Sequence, residues 1–362
     1  MPISQVPFAG ISNPVDFRNI VINGDMQVAQ RSTSVASITT GGYKTLDRFN
    51  LALNSLGTWT MSQSTDVPSG YGFANSLKLD CTTADASPAA GDYMIIQQLF
   101  EGQNLQYLKK GTADALPLTA SFWVKSTKIG TFILELYDND NSRSISKSYT
   151  VSVTNTWEFK TVTFPGDTTG AFDNDNAASL QFNFWLGAGS NFTSGTLATS
   201  WGTAVAANEA VGQVNIADNT ANDWLITGVQ LEAGEQASGF EFMPIDTNLA
   251  RCRRYLQTLV QINGGTQMIG IGYSNSTSVF IAGTKFDVVM RTAPSISFAS
   301  GSYYLVGQGA GDVSSNSLVL NMSSPINYLI SVSGGTYSAA GTGGVVFANS
   351  SANAFVRFDS EL

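Results

Sequence analysis

The sequence predicts an all-β protein: a jelly-roll β-sandwich, then a short linker helix, then a smaller C-terminal β domain. Three observations predict it. Short runs alternate apolar and polar residues at period two. Clusters of Gly, Asn, Asp, Ser and Pro separate them. Only one stretch carries a convincing helical period.

Composition agrees. Of 362 residues, 43% are hydrophobic and only 12% charged, about half the usual charged fraction of roughly a quarter. Polarity comes from Ser, Thr, Asn, Gln and Gly instead, which suits an extracellular or virion protein. Apolar content is sufficient for a sizeable core.

Residues 1–19 mix Pro2, Pro7, Gly10 and Pro14 with Ile3, Val6, Phe8 and Ile11. Neither regular period fits, so an extended arm is expected, either frayed or docking. Residues 20–245 form the sandwich. Its expected strand signals are the short apolar run Ile20–Ile22, then Asp47–Leu53 with Phe49, Leu51 and Leu53 on one face, then Tyr93–Phe100, Thr119–Lys125, Thr131–Tyr137, Tyr149–Val153, Glu158–Phe164, Ser179–Gly187 and Trp224–Glu232. About ten short strands without an intervening helix imply two packed sheets. In residues 246–259, Leu249, Cys252, Leu256 and Leu259 recur at three or four residues, with Asp246 or Thr247 as N-cap. Residues 260–362 return to strands, from Gln267–Tyr273 to Ala354–Phe358, with Gly334-Gly335 and Gly343-Gly344 as turns.

Several functions are excluded. The chain has no histidine, so no Ser-His-Asp or Cys-His catalysis and no His-ligated zinc. Cys81 and Cys252 cannot form a four-thiolate site, and no disulfide is expected between them. With 18 Lys plus Arg against 27 Asp plus Glu, the net charge is −9, which argues against a nucleic-acid partner. The start lacks the basic and apolar segments of a signal peptide. No apolar run is long enough to span a membrane.

Several segments are familiar in order. They are Asn19–Ser34 (NIVINGDMQVAQRSTS), Tyr43–Phe49 (YKTLDRF), Ser121–Ser126 (SFWVKS) and Trp224–Pro244 (WLITGVQLEAGEQASGFEFMP). Leu249–Gln257 (LARCRRYLQ), Val288–Ser297 and the closing Phe358–Leu362 follow. Together the chain resembles a family of tailed-bacteriophage structural proteins: tail-fibre, head-fibre or capsid-decoration proteins with a carbohydrate-binding-module-like jelly roll. Arg253 and Leu256 depart from that family, which more often has Gln and Tyr there. The resemblance implies a virion component on the particle exterior, often trimeric, with a distal β domain. The expected function is non-enzymatic: a tail-fibre or receptor-binding component, anchored to other virion proteins by the N-terminal arm. The alternative is a decoration protein on the outside of the head. A homotrimer is expected, with no cofactor and no membrane insertion.

Alternation also sorts faces. Phe122 and Val124 oppose Trp123 and Lys125. Phe132, Leu134 and Leu136 oppose Ile133, Glu135 and Tyr137. Leu180, Phe182, Phe184 and Leu186 oppose Gln181, Asn183 and Trp185. If these strands share a sheet, its second face displays Trp123, Lys125, Glu135, Tyr137, Gln181, Asn183 and Trp185. Flat rings stack on sugar C–H faces, while amides and carboxylates bond hydroxyls, so this is the candidate host-glycan face. The competing reading is packing under loops or against a neighbouring subunit.

Two Asp-rich loops, Asp138–Ser142 and Asp173–Asn176, carry oxygen ligands of the calcium type. The first lacks the EF-hand glycine (Arg143 stands there) and glutamate (Tyr149), and such residues are ordinary in turns; no metal is assigned. Glu135 and Glu232 are the carboxylates to test for hydrolysis, but no motif pairs them, and no catalytic residue is assigned.

Overall fold

The computed structural model describes residues 17–260, 266–309, 311–349 and 353–362. Most of the expected N-terminal arm therefore lies outside the described residues. The chain divides into two compact units, Met1–Met243 and Pro244–Leu362.

The first unit contains β1 (Ser34–Ile38), β2 (Gly42–Tyr43), β3 (Asn50–Asn54), β4 (Thr58–Ser64), β5 (Ser76–Thr83), β6 (Tyr93–Glu101) and β7 (Leu118–Ser126). It continues with β8 (Gly130–Asp138), β9 (Arg143–Val151), β10 (Glu158–Phe164), β11 (Ala178–Ala188), the one-turn α1 (Ser190–Thr193), β12 (Gly202–Thr203) and β13 (Asp223–Ala233). Sheet A runs β1-β4-β5-β13-β7-β10, and sheet B runs β12-β9-β8-β11-β6-β3-β2. All the ladders are antiparallel. This is the expected jelly-roll sandwich.

Period-two alternation builds the core between the sheets. Phe122 and Val124 from β7 meet Phe132, Leu134, Phe182 and Phe184 from sheet B, all at most 1% exposed. Phe122 sits edge-on to Phe184 (5.1 Å, 87°) and to Tyr149 (5.0 Å, 79°). Full burial of each such side chain is worth roughly 1.5–3 kcal/mol, and each edge-to-face pair adds about 0.5–1.5 kcal/mol. Strands β4 and β5 extend the expected set. Trp59 and Met61, then Leu77, Leu79 and Cys81, alternate inward. In the apolar run Ile20–Ile22, Val21 and Ile22 are buried and Ile20 is half-buried, but the run is not a strand.

The second unit opens with α2 (Ile245–Arg253), followed by β14 (Leu256–Val260), β15 (Met268–Ser274), β16 (Val279–Lys285), β17 (Ser295–Phe298) and β18 (Tyr304–Gln308). Then come β19 (Gly311–Ser315), β20 (Ser317–Ser323), β21 (Asn327–Ser333), β22 (Gly343–Ala348) and β23 (Val356–Asp359). Sheet C is β14-β23-β17 and sheet D is β19-β18-β22-β15-β16-β21-β20. Phe286 and Tyr328 pack on Phe358, joining the two sheets in one core.

Two local expectations differ from the structure. The helix spans 245–253 rather than 246–259, with Pro244 rather than Asp246 or Thr247 at its N-cap. Leu256 and Leu259 continue its spacing but belong to β14, which pairs with β23 (Leu256↔Asp359, Thr258↔Arg357). The ladder partner lies a hundred residues away, so the local period could not reveal it. Likewise Gly343-Gly344 is not a turn but the start of β22.

Candidate functional site

The two packed sheets divide the seven predicted site residues. Trp123 and Lys125 lie on β7 in sheet A; Glu135 and Tyr137 on β8 and Gln181, Asn183 and Trp185 on β11 lie in sheet B. Both groups point away from the core, so they occupy opposite outer faces of the sandwich. They do not form one surface, and the condition attached to the sequence reading is not met.

The sheet B group is covered. Its outer face carries the segment 189–215, whose Phe192, Leu197 and Ala210 pack with Trp185, Ile133 and Ile95. Trp185 meets Tyr93 at 6.4 Å and Phe192 at 5.3 Å. Glu135 is 1% exposed. Its Oε2 accepts from Asn183 Nδ2 (3.1 Å) and Trp185 Nε1 (3.0 Å). Burial, with Glu209 nearby, pushes its carboxyl up to about 8, against those two hydrogen bonds. Burial likewise lifts Glu209 to about 7. Glu135 is thus a neutral acid near pH 7, which is how a buried carboxyl avoids the desolvation cost of charge. Gln181 donates to Asn139 Oδ1 (2.7 Å), and it and Tyr137 are the half-buried members at the rim. Trp185 therefore packs against the cover, with Asn183 and Glu135 buried beside it.

The sheet A group is open. Trp123 lies in the β7 ladder between Thr227 of β13 and Phe159 of β10. Its ring abuts Tyr71 (centroids 4.2 Å, 48°) and Phe159 (5.3 Å, 51°). Tyr71 is 56% exposed and Phe159 49%. Tyr71 arrives on the loop 65–75, held over the sheet where Thr227 Oγ1 donates to Asn75 O (2.7 Å). Asp66 in the same loop accepts from Lys125 Nζ (2.6 Å) and Trp157 Nε1 (3.0 Å). Burial opposes its charge, but those two hydrogen bonds hold the Asp66 carboxyl below the usual carboxylate range.

The result is a row of three rings, exposed Tyr71 and Phe159 flanking half-buried Trp123, bordered by an ordered carboxylate, an ammonium and an indole. Tyr71, Phe159, Asp66 and Trp157 are absent from the sequence reading. The available signal is an aromatic residue set between glycines in a turn segment, Gly70-Tyr71-Gly72, where buried packing cannot be its purpose.

A second aromatic group closes the neighbouring part of this face. Phe73, Phe240 and Phe242 lie 4.8–5.1 Å apart. Gly228, at φ +62°, leaves room for the Phe73 ring, which an added Cβ would meet at 2.6 Å.

The other candidate chemistry is satisfied internally. Asp138 Oδ1 accepts from the backbone of Asp140 and Asn141 (3.0 and 3.1 Å), as in an Asx turn. Its Oδ2 accepts from Lys110 Nζ at 2.5 Å. That ammonium also lies 3.2 Å from Asp167 and donates to the carbonyls of Thr169 and Gly170. Lys110 thus fills the oxygen-lined position that a calcium would need at Asp138. In the second loop, Asp173 N donates to Asp140 and Asp175 caps Ala177 N. Glu232 lies on sheet A, bound by Ser238 N and Oγ. Glu135 and Glu232 are therefore on different sheets and are not a facing pair. Cys81 and Cys252 are buried free thiols. No helix among the described residues is long and apolar enough to cross a membrane.

No protein-family model matches the chain, and no curated protein matches it. Among solved structures it is similar to the enzymatically active domain of bacteriophage CBA120 tailspike protein 4. Identity there is 16% and the TM-score 0.31, over 59% of this chain and 21% of that one. The chain thus spans about a fifth of the tailspike structure it matches. It is also similar to a family 4 carbohydrate-binding module (CBM4): 12% identity, TM-score 0.30, 58% of this chain and 97% of that one. A putative sugar binding protein from Bacteroides thetaiotaomicron gives 10% identity and a TM-score of 0.30, over 60% of this chain and 100% of that one.

Proposed function

We propose that this chain is a non-enzymatic tailed-phage virion protein that holds a host-surface glycan on the outer face of sheet A. The observation that carries the reading is the solvent-facing row Tyr71–Trp123–Phe159, its outer two rings exposed, beside the Asp66–Lys125–Trp157 cluster. Three neighbouring rings offer stacking area for sugar C–H faces, and the cluster offers oriented donors and acceptors for hydroxyls. The row is held by strands and by a hydrogen-bonded loop, so little ordering cost falls on binding.

The non-enzymatic part rests on the carboxylates. Asp66 is occupied by two partners, Glu135 is sealed under the segment 189–215, and Glu232 is on the other sheet from Glu135. Hydrolysis would need two carboxyl groups about 5–9.5 Å apart across a cleft. Placement on the virion rests on the sequence resemblance. It brings with it attachment to other virion proteins through residues 1–19 and a homotrimeric assembly, in which several weak sites act together.

The test is binding of the purified chain to an array of bacterial surface polysaccharides, repeated with Tyr71→Ala. The reading expects retention on at least one polysaccharide and a loss of tenfold or more in the variant, about the cost of removing one aromatic anchor. Equal retention by the variant would remove the platform from the account. Release of reducing ends from a bound polysaccharide would make the protein an enzyme instead.

A further inference from the structure

The outer face of sheet D has a different chemistry. Met268, Ile271 and Tyr273 of β15 and Val319 and Met322 of β20 are 48–67% exposed. Ladder register connects them. Ile271 pairs with Val345 on one side and Gly283 on the other; Gly283 pairs with Leu329, and Leu329 with Met322. The next row runs Tyr273, Ile281, Ser331, Val319. Aliphatic side chains, serine and glycine thus succeed one another across five strands, and the charges at the margins are Lys285, opposite Asn327, and Asp312, which continues the Ile271 row through Val345 and Gly307.

We infer that a second copy of this chain covers this face. Three observations favour that occupant. The first is area: the five apolar side chains are 48–67% exposed, which at about 200 Å² for a large side chain comes to roughly 580 Å². That is at the top of the ~300–600 Å² range of the largest patch on an ordinary monomer, patches that are often functional, and about three-quarters of the ~800 Å² each partner gives a standard interface. The second is charge. The chain carries −9 overall, so two copies repel except where they meet through surface without net charge; these rows are uncharged across their five strands, with Lys285 and Asp312 of opposite sign at the margins. The third is relief. Gly283 floors an open trough of about 400 Å³ walled by Ile271, Tyr273, Ile281 and Leu329, with Lys285 and Asn327 also lining it. A Cβ at Gly283 would lie 2.4 Å from Tyr328 O, so the hollow is fixed by the backbone. The same face carries protruding Met322 (67% exposed) and Ile271 (63%). Knob and hollow on one surface are what a self-complementary contact requires, and methionine adapts to an irregular hollow.

This does not depend on the ring row of sheet A, and it names a self-complementary contact that pairs two copies, in addition to the homotrimeric assembly drawn from the sequence resemblance. Sedimentation equilibrium of the full chain over a hundredfold concentration range tests it, for the natural sequence, Ile271→Lys and Met322→Lys. The natural chain self-associates, and each lysine variant dissociates at least tenfold more readily while keeping its thermal midpoint. Met322→Ser, which adds no charge, shifts the equilibrium the same way by a smaller factor and serves if a lysine variant fails to fold. A natural chain that is monomeric throughout overturns the inference, as do lysine variants with unchanged mass. Adsorption of a monomeric chain to neutral phosphatidylcholine vesicles, lost in Met322→Lys, would also overturn it in favour of a lipid surface. Glycan retention per chain is measured separately, so a monomer that still binds polysaccharide refutes only the contact.

Discussion

The two outer faces of the sandwich start from the same kind of sequence. Strand β7 presents Trp123 and Lys125, and β11 presents Gln181, Asn183 and Trp185. One pair of residues ends at an open ring row; the other group ends beneath the segment 189–215 or at its rim. The difference lies not in the strands but in what crosses them. The segment 189–215 covers sheet B with Phe192, Leu197 and Ala210. Loop 65–75 instead adds Tyr71 and Asp66 beside Trp123. A mixed aromatic-polar strand face is a demand for a partner, and a covering loop meets it as well as a ligand does.

The largest effect expected from this contrast is on stability. Trp185→Ala empties a buried site (2% exposed) and strips a donor from Glu135. It should cost about 3–5 kcal/mol in chemical denaturation. Trp123→Ala, at a partly exposed position, should cost about 1 kcal/mol or less. Equal losses would erase the distinction between the two faces.

The next effect is pH-dependent. The Glu135 carboxyl is raised from 4.5 to about 8 by burial and by Glu209, so the folded state keeps a proton that the unfolded state releases above about pH 4.5. Stability from this group is therefore complete below about pH 4.5 and declines as pH rises toward 8, at up to about 1.4 kcal/mol per unit. Glu135→Gln imitates the neutral acid and should flatten the unfolding midpoint between pH 5 and 8. An unchanged slope in that variant would mean that the carboxyl is not held neutral.

The smallest effect is expected at Asp66. It is a surface partner of Lys125 and Trp157, worth at most about 1 kcal/mol to stability. Asp66→Asn should leave the thermal midpoint within a degree or two. It should weaken polysaccharide retention several-fold, because the loop carrying Tyr71 loses its tie. A large fall in stability with retention intact would assign Asp66 to the scaffold.

Much of the fold is legible in the sequence because one side of each strand must be apolar. Phe122, Phe182 and Phe184 are placed inward by alternation alone, and all are buried. What alternation cannot report is which strands share a sheet. Trp123 and Trp185 have the same local pattern, and only the ladder order separates them. Tyr71 and Asp66 sit in a loop without a period, so nothing local aims them at Trp123.

The motifs carrying the phage resemblance are legible for another reason: they are structural. Asn19 Nδ2 donates to Val229 O, and Gly24 O accepts from Val229 N. A Cβ at Gly24 would lie 2.1 Å from Val229 O. Gln98 satisfies both the N–H and the carbonyl of Ile22, Asp47 accepts from Gln30, and Arg48 donates to Leu99 O. At the other end of the chain, Arg291 ties the closing segment through Ser360 O and Glu361 O. Such residues specify the scaffold, and the surface that meets a partner is written elsewhere.

The most direct measurement is a side-by-side titration of Trp123→Ala and Trp185→Phe with the polysaccharide best retained by the natural chain. The account predicts that Trp123→Ala loses at least tenfold in affinity while Trp185→Phe binds as the natural chain does. The reverse order, with Trp185→Phe impaired and Trp123→Ala intact, would place the glycan on sheet B and contradict it.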